Sequence, residues 1–198
     1  MPPPRFIAIE GTDGAGTTTQ TRRLADALRS QGHTVHTTRE PTDNPIGKLI
    51  RSFLTGGTVD EHAMALLFAA DRLDHLSREI EPALARGEWV ITDRYLMSSL
   101  VYQGELLHEA QTGGWVAKVN DQARHADLTL WIEVSPEIAL TRRQARGGPA
   151  ERYDDLALQQ RVSGRYASVA ASLPGCVRID GSVELDAVTE ALLAQLKH

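Results

Sequence analysis

The segment from Phe6 to Gln20 constrains the fold more than any other part of the chain. A short apolar stretch, Phe6 to Ile9, leads through three glycines, Gly11, Gly14 and Gly16, into a pattern with helical spacing that is under way by Gln20. This order predicts a buried strand, a tight loop and a helix. Such a loop lets backbone N–H groups converge on phosphate oxygens at a helix N-terminus. The segment therefore predicts a phosphate site, although the glycines could also serve only a tight turn.

One position of this loop departs from the phosphate-binding pattern G-x-x-x-x-G-K-[ST]. Residues 11–18 fit the pattern except that Thr17 stands where lysine is expected. A threonine hydroxyl can donate a hydrogen bond, but it brings no positive charge to a phosphate. Either an arginine elsewhere supplies part of that charge or activity is low.

Composition limits the class of protein. With 198 residues, 41% of them apolar, the chain is expected to form a single domain over residues 1–198 without repeats or linkers. The net charge of −5 argues against nucleic acid as a partner. Cys176 is the only cysteine, which excludes an intrachain disulfide and favours a small buried side chain. No signal peptide or membrane-spanning run is present, so a cytoplasmic location without membrane contact is expected.

Four further apolar runs alternate with helical patterns along the chain. This alternation predicts an α/β fold with a five-stranded parallel sheet and helices on both faces. The remaining strands are expected at 34–38, 89–93, 127–134 and 176–179. Helices are expected at 46–54, 60–86 with a bend or division near Pro82, 115–124, 136–146, 156–173 and 183–196, and a loop or broken helix at 104–114. The apolar face of the long helix is expected to carry Leu66, Leu67, Ala70, Leu73, Leu76 and Ile80.

Charged residues follow two of these strands, at the sheet edge where ligands bind in α/β proteins. Arg39-Glu40 follows the second strand, and Asp93-Arg94 ends the third. An aspartate at that position commonly holds Mg²⁺, and an arginine can clamp a phosphate with two hydrogen bonds. The polar residues Ser98, Ser99, Tyr102 and Gln103 come next, on a helix face that meets either a pocket or solvent.

Arginines surround a Gly-Gly-Pro segment at 147–149. Arg142, Arg143 and Arg146 precede it and Arg152 follows. Residues 143–155 are therefore expected to form a lid that closes over phosphates. The alternative is a basic helix end that complements the helix dipole.

Taken together, these motifs resemble those of bacterial thymidylate kinases, a family of P-loop nucleoside monophosphate kinases. The resemblance covers residue 6 to about 196 and rests on residues 10–16, Thr38-Arg-Glu-Pro41, Leu67-Phe-Ala-Ala-Asp-Arg72, Asp93-Arg-Tyr95 with Ser98-Ser99, and Tyr102-Gln103-Gly104. It implies a P-loop kinase fold and transfer of the γ-phosphate of ATP to dTMP, giving dTDP and ADP for dTTP synthesis. It also implies Mg²⁺, a homodimer formed through helix faces in the middle of the chain, and a cis peptide bond before Pro41.

The resemblance assigns roles to individual residues. Phe68 would stack on thymine, Arg72 would reach its O4, and Tyr102 would pack under the deoxyribose. The implied catalytic set is Asp13, Arg39, Arg94, Arg146 and Arg152, with Thr18 and Asp93 for the metal. The implied ATP site is Gly11, Thr12, Asp13, Gly14, Ala15, Gly16, Thr17, Thr18, Thr19 and Arg142. The implied dTMP site is Asp13, Arg39, Glu40, Pro41, Arg51, Phe68, Arg72, Arg94, Ser98, Ser99, Tyr102 and Gln103.

Two other functions stay open on the sequence. Because Thr17 lacks the usual charge, the chain could bind nucleotides with little or no catalysis. It could also phosphorylate another nucleoside monophosphate. In addition, residues 105–109 differ from the short Gly/Arg-rich stretch of many relatives, which leaves the entrance to the acceptor pocket open.

Overall fold

The sheet has five parallel strands, as the sequence predicts. The computed structural model describes residues 5–109, 114–147, 152–153 and 155–196. The strands are β1 (Phe6–Gly11), β2 (Val35–Arg39), β3 (Trp89–Asp93), β4 (Leu128–Glu133) and β5 (Cys176–Asp180). They lie in the order β2-β3-β1-β4-β5, and every neighbouring pair is parallel. The central strand β1 therefore ends at Gly11 between the carboxyl ends of β3 and β4, where a ligand site is expected.

Helices cover both faces of this sheet. Alternate residues of β1 point to opposite sides. Ile7 and Ile9 pack in a cluster with Leu24, Leu28 and Leu192, while Phe6 and Ala8 pack in another with Leu76, Ile80 and Leu96. The helices are α1 (Thr17–Ser30), α2 (Pro45–Thr55), α3 (Glu61–His75), α4 (Glu81–Ala85), α5 (Leu96–Leu106), α6 (Trp115–Val119), α7 (Pro136–Arg146), α8 (Leu156–Ser172) and α9 (Leu185–Ala194). The three inner strands β1, β3 and β4 are thus buried on both faces, as is usual in a parallel sheet, while the edge strands β2 and β5 keep exposed residues.

The helix expected over 60–86 is divided near Pro82, as predicted: a π-helical turn, Leu76–Ile80, separates α3 from α4, and Pro82 lies in the first turn of α4. Proline lacks the N–H of a regular helix, and it is tolerated in a first turn. Two other helix predictions need correction. The helix expected over 115–124 ends at Val119, and α5 continues through Gly104 to Leu106.

The expected apolar face of α3 is also partly wrong. Leu66 and Leu73 are 49% and 41% exposed, and Ala70 is exposed as well. The buried face instead carries Asp71, Arg72 and His75, each at most 1% exposed. This face packs on polar groups at the end of β2, so its polar residues are buried with partners and its leucines point outward.

No helix within the described ranges combines the length and apolar character needed to cross a bilayer.

Candidate active site

The loop between β1 and α1 has a geometry that only glycine can adopt at its turning points. Gly14 and Gly16 have φ of 94° and 95°. A Cβ on Gly14 would lie 2.4 Å from the carbonyl oxygen of Ala139, because α7 packs directly against the loop. Ala15 N donates to Thr12 O at 2.9 Å and fixes the turn. The backbone thus folds into a narrow cradle whose rear side is closed by α7.

The front of this loop opens into a pocket. Gly16 precedes α1 without any side-chain cap, so the first amides of the helix lack an intrahelical partner. The pocket is lined by residues 13–20, by Arg94, Arg142 and Arg146, and by residues 181–185 and Val188. Free amides at a helix N-terminus and arginines around them favour a polyanionic ligand. Thr17 is 7% exposed and brings no cation to this wall.

A hydroxyl and a carboxylate meet at the start of α1. Thr18 Oγ1 donates to Asp93 Oδ2 at 2.5 Å. The other carboxylate oxygen, Asp93 Oδ1, is buried without a hydrogen-bond partner among the described residues. A buried carboxylate oxygen of this kind fits a hard cation such as Mg²⁺. Across the described ranges, three or more His, Cys, Asp or Glu side chains never group as a metal site.

A second pocket lies beside the first. Its cavity volume is about 140 Å³. Its lining residues come from six separate segments and are Asp13, Glu40, Pro41, Leu54, Phe68, Arg72, Arg94, Tyr95, Ser98, Ser99, Tyr102, Gln103 and Tyr153. Asp13 and Arg94 belong to both pockets, so the two cavities meet at this pair.

Arg72 is held rigidly in the wall of the second pocket. Its Nη2 donates to Glu40 Oε2 at 2.7 Å and to Ser99 Oγ at 3.0 Å, and Nη1 donates to Asn120 Oδ1 at 2.5 Å. The Arg72 and Glu40 side chains are 1% and 3% exposed, so the ion pair is fully buried. Arg72 Nε is a buried donor without an acceptor among the described residues. A buried donor in a pocket wall can serve a ligand acceptor.

His75 extends this network, and sequence reasoning missed it. The ring lies between Glu40 Oε1, at 3.2 Å from Nδ1, and Thr38 Oγ1, at 2.7 Å from Nε2. It follows Arg72 by three residues on α3, so both side chains lie on one helix face. This spacing could have pointed to His75 only if its partners Thr38 and Glu40 had been known.

Arg94 occupies the junction of the two pockets. Its Nη2 donates to Asp13 Oδ1 at 2.5 Å, and its Nη1 donates to Gly11 O at 2.7 Å. The backbone of Arg94 has φ of 68°, an uncommon value for a residue with a side chain, and this directs the chain from β3 into α5. Burial opposes its charge, but Asp13 and further acidic neighbours more than offset this and raise the pKa of Arg94 well above its usual value.

Glu10 supports the same turn from beneath and had no predicted role. Its carboxylate accepts from Tyr95 N at 2.9 Å, from Ser98 N at 3.1 Å and from Ser98 Oγ at 2.6 Å. It thereby caps α5 in place of Tyr95, whose side chain makes no capping bond. Burial raises the pKa of Glu10, and the Ser98 hydroxyl and Arg94 pull it in the opposite direction.

Tyr102 lies against this junction. Its ring centroid is 5.6 Å from the Arg94 guanidinium, and its hydroxyl is 3.5 Å from Asp13 Oδ2. Burial raises the pKa of Tyr102, so the phenol remains protonated at neutral pH and can act as a donor.

Six residues assigned to the site from sequence lie outside both pockets, and three of them are arginines held by other partners. Arg39 donates to both carboxylate oxygens of Asp43, at 2.8 and 3.0 Å. Arg51 donates to Pro41 O at 2.6 Å and also to Thr42 O and Asp43, so it braces the loop after β2. Arg152 donates to Glu61 Oε1 at 2.7 Å and to Val59 O at 3.0 Å. The other site residues predicted from sequence line one or both pockets, except Gly11 and Thr12, which lead into the loop, and Asp93, which contacts Thr18 beside it.

The arginines at the end of α7 differ in their surroundings. Arg142 donates to Gly181 O at 3.0 Å and Arg146 is exposed, and both line the loop pocket. Arg143, which was not a predicted site residue, is 9% exposed and donates from Nη1 to Asp13 O at 2.9 Å. Residues 148–151 and 154 of the expected lid lie outside the described residues.

Two further pocket residues, Leu54 and Tyr153, were missed by sequence reasoning. Tyr153 follows Arg152 directly, and both are placed by contacts with α2 and α3, including Arg152 N to Leu54 O at 2.9 Å. The sequence carries no local signal for this contact between distant segments.

The peptide bond between Glu40 and Pro41 is cis, as expected from the resemblance.

Comparison with known proteins agrees with this geometry. The thymidylate kinase family model matches residues 9–192. A thymidylate kinase of Caulobacter vibrioides is 40% identical over 94% of this chain and 93% of its own length. One from Jannaschia sp. is 39% identical over 96% and 94%, and a probable thymidylate kinase of Pyrococcus abyssi is 36% identical over 98% and 96%. The chain belongs to the thymidylate kinase family.

Proposed function

We propose that this protein transfers the γ-phosphate of ATP to dTMP, giving dTDP and ADP for dTTP synthesis. One observation carries the proposal: a phosphate-binding loop pocket and a second, aromatic-lined pocket meet at Asp13 and Arg94. A kinase must hold a donor and an acceptor phosphate within reach of each other, and two adjoining pockets provide this arrangement. The family membership established above supports the same reaction.

The loop pocket is proposed to bind ATP. Loop amides and the N-terminus of α1 would hold the β- and γ-phosphates, with Arg142 and Arg146 at the opposite wall. Thr18 and Asp93 would hold Mg²⁺, which would supply positive charge to neutralise the phosphates.

The second pocket is proposed to bind dTMP. Phe68 lines it and can stack on the base, an interaction worth about 1–3 kcal/mol. Arg72 Nε is the unpartnered donor of this wall, and thymine O4 is an acceptor where cytosine carries an amino donor. A fixed donor therefore favours thymine over cytosine. Ser99, Gln103 and Tyr102 complete the pocket around the base and the sugar.

Arg94 is proposed to hold the dTMP phosphate beside the transferred group. The attacking atom is a phosphate oxygen that is already ionised at pH 7, so no general base is needed. The protein then contributes positioning and charge neutralisation. Asp13 fixes Arg94, and Arg146, which is exposed in the loop pocket, would approach the transferring phosphate. We keep Arg39, Arg51 and Arg152 in the proposed site, although each would have to leave its present partner to reach substrate.

We further propose that residues 143–155 act as a lid within one domain spanning 1–198, and that two copies form a homodimer. Leu66, Ala70 and Leu73 form an exposed apolar stripe on α3, spaced for one helix face. An apolar stripe of this kind favours a protein interface. A cytoplasmic location follows from the proposed substrates. Light scattering of Leu66→Glu/Leu73→Glu would show a monomer if α3 forms the interface, and an unchanged dimer would reject this face.

The test of function is a coupled assay with ATP, Mg²⁺ and a panel of nucleoside monophosphates at high enzyme concentration. We expect turnover of dTMP above all other acceptors. Turnover of a different monophosphate alone would reject the assignment of substrate. Binding of dTMP, seen as a raised Tm, with no dTDP formed would indicate the binding protein that Thr17 leaves open.

A further inference from the structure

The missing loop lysine raises the question of what replaces it. Thr17 is buried in the first turn of α1 and carries no charge, so the loop itself contributes only dipoles. In a low-dielectric site a positive charge near phosphates is worth far more than in water. A replacement should therefore be a cation that contacts the loop and is shielded from solvent.

Helix α7 brings one arginine to this position. The helix begins at Pro136, capped by the Ser135 side chain, and its first turn packs so closely that only glycine fits at position 14. Arg143 lies four residues after Ala139, whose carbonyl makes this contact, so the two share a helix face. The helix thus directs Arg143 at the rear of the loop, while Arg142 and Arg146 line the pocket in front.

The contact of Arg143 acts on the peptide that shapes the cradle. Its Nη1 donates to Asp13 O at 2.9 Å, and the side chain is 9% exposed. In a trans peptide the carbonyl and the following N–H point in opposite directions. Holding Asp13 O from behind therefore directs Gly14 N–H forward, toward the pocket. A charged donor on the carbonyl also polarises the peptide and strengthens that N–H as a donor.

We propose that Arg143 is the positioning residue that takes over part of the role of the missing lysine. It holds the 13–14 peptide in its phosphate-binding orientation and places a buried positive charge behind the loop. It does not touch substrate, since it lies behind the pocket wall. The inference rests on the proposed function, because it assumes that the loop binds the phosphates of ATP.

The test compares four proteins: the natural chain, Arg143→Gln, Thr17→Lys and the double variant. Each is assayed for kcat and for KM of ATP and dTMP, and for ATP binding by calorimetry without dTMP. Arg143→Gln should weaken ATP binding and kcat/KM for ATP by tenfold or more, with KM for dTMP changed less than threefold. In the Thr17→Lys background the same substitution should cost less than threefold, because the introduced lysine restores the charge.

A purely structural role predicts something different. Arg143→Gln would then cost the same factor in the natural chain and in the Thr17→Lys background, and that result would overturn the proposal, as would no loss in either background. Arg161→Gln is the matched control, since Arg161 pairs with Glu105 on the surface, is 54% exposed and lines neither pocket.

The role of Arg143 can be decided even if the natural chain is inactive or the Arg143→Gln variant does not fold. If the natural chain forms no dTDP, the calorimetric comparison of ATP binding still decides the role of Arg143. If Arg143→Gln does not fold, Arg143→Lys replaces it in both backgrounds. A lysine retains the charge without the planar guanidinium. We therefore expect Arg143→Lys to weaken ATP binding by less than tenfold, and by a smaller factor still in the Thr17→Lys background.

Discussion

The buried pair between Glu40 and Arg72 gives the sharpest stability prediction. Both side chains are at most 3% exposed, and Arg72 Nη2 lies 2.7 Å from Glu40 Oε2. Glu40→Gln keeps the shape and one acceptor oxygen but removes the negative charge. The guanidinium then stays buried without its counter-charge, held only by neutral acceptors such as Asn120 Oδ1 and Tyr95 O.

Removing one partner of a buried ion pair costs about 3–5 kcal/mol. Glutamine still accepts a hydrogen bond, so we expect the lower end, about 3 kcal/mol. For a chain of this length 1 kcal/mol shifts Tm by roughly 2–4 °C, so Tm should fall by about 6–12 °C. Arg72→Met should cost at least as much, because it leaves the Glu40 carboxylate buried with His75 as its nearest partner.

Urea unfolding of the two single variants and the double variant measures the coupling. Removing both charges leaves no unpaired ion, so the double variant should be no less stable than Arg72→Met alone, a coupling of about 3 kcal/mol. Glu133→Gln is the matched control: its partner Arg178 is 67% exposed, and we expect less than about 1 kcal/mol. Additive losses, or a Glu40→Gln variant within about 0.5 kcal/mol of the natural chain (a difference comparable to the usual error of additivity), would refute this reasoning.

Three further predictions test other parts of the molecule. Phe68→Ala should raise KM for dTMP about 5–150-fold, the equivalent of ~1–3 kcal/mol of stacking, while KM for ATP stays constant; steady-state kinetics would contradict this if the dTMP value did not move. Asp93→Asn should lower kcat by about 100-fold or more and raise the Mg²⁺ concentration for half-maximal rate, since it removes the buried carboxylate proposed to bind the metal; an unchanged Mg²⁺ titration would count against the site. Burial raises the pKa of Cys176 to about 11, so iodoacetamide at pH 8 should label the folded chain about 100-fold more slowly than the chain in urea. Because this folded pKa lies above the unfolded value, the thiol's contribution to stability is present below about pH 8.5 and is lost as pH rises toward 11; equal labelling rates would refute both statements.

The sequence predicted those parts of the fold that depend on short-range rules. The strand, glycine loop and helix at the N-terminus follow from neighbouring residues, as do the Ser135 cap and Pro136 at the start of α7. The strand order depends on crossover geometry and family resemblance rather than on any single residue. These features needed no knowledge of distant contacts.

The errors arise where distant segments decide burial. On α3, Leu66 and Leu73 were expected inside because they are apolar, yet Arg72 and His75 are buried in their place. Partners from distant segments, among them the carboxylate of Glu40 more than 30 residues earlier, make burial of these side chains favourable. Hydrophobic periodicity carries no information about such a partner.

The same limit explains the choice among the lid arginines. The sequence presents Arg142, Arg143, Arg146 and Arg152 as nearly equivalent cations. Helix phase separates the first three, since Arg143 shares a face with Ala139 and so turns toward the loop. The sequence does not reveal which face of α7 meets the loop, and the contact between Ala139 and Gly14 shows it.

The lid segment connects the two pockets through its ends. At one end, Arg142 and Arg146 of α7 line the loop pocket. At the other end, Tyr153 lines the acceptor pocket, and Arg152 binds Glu61 at the start of α3, the helix that carries Phe68 and Arg72. Each end of the proposed lid is therefore fixed by its own contacts, so a ligand in the loop pocket would meet Arg146 and a ligand in the second pocket would meet Tyr153.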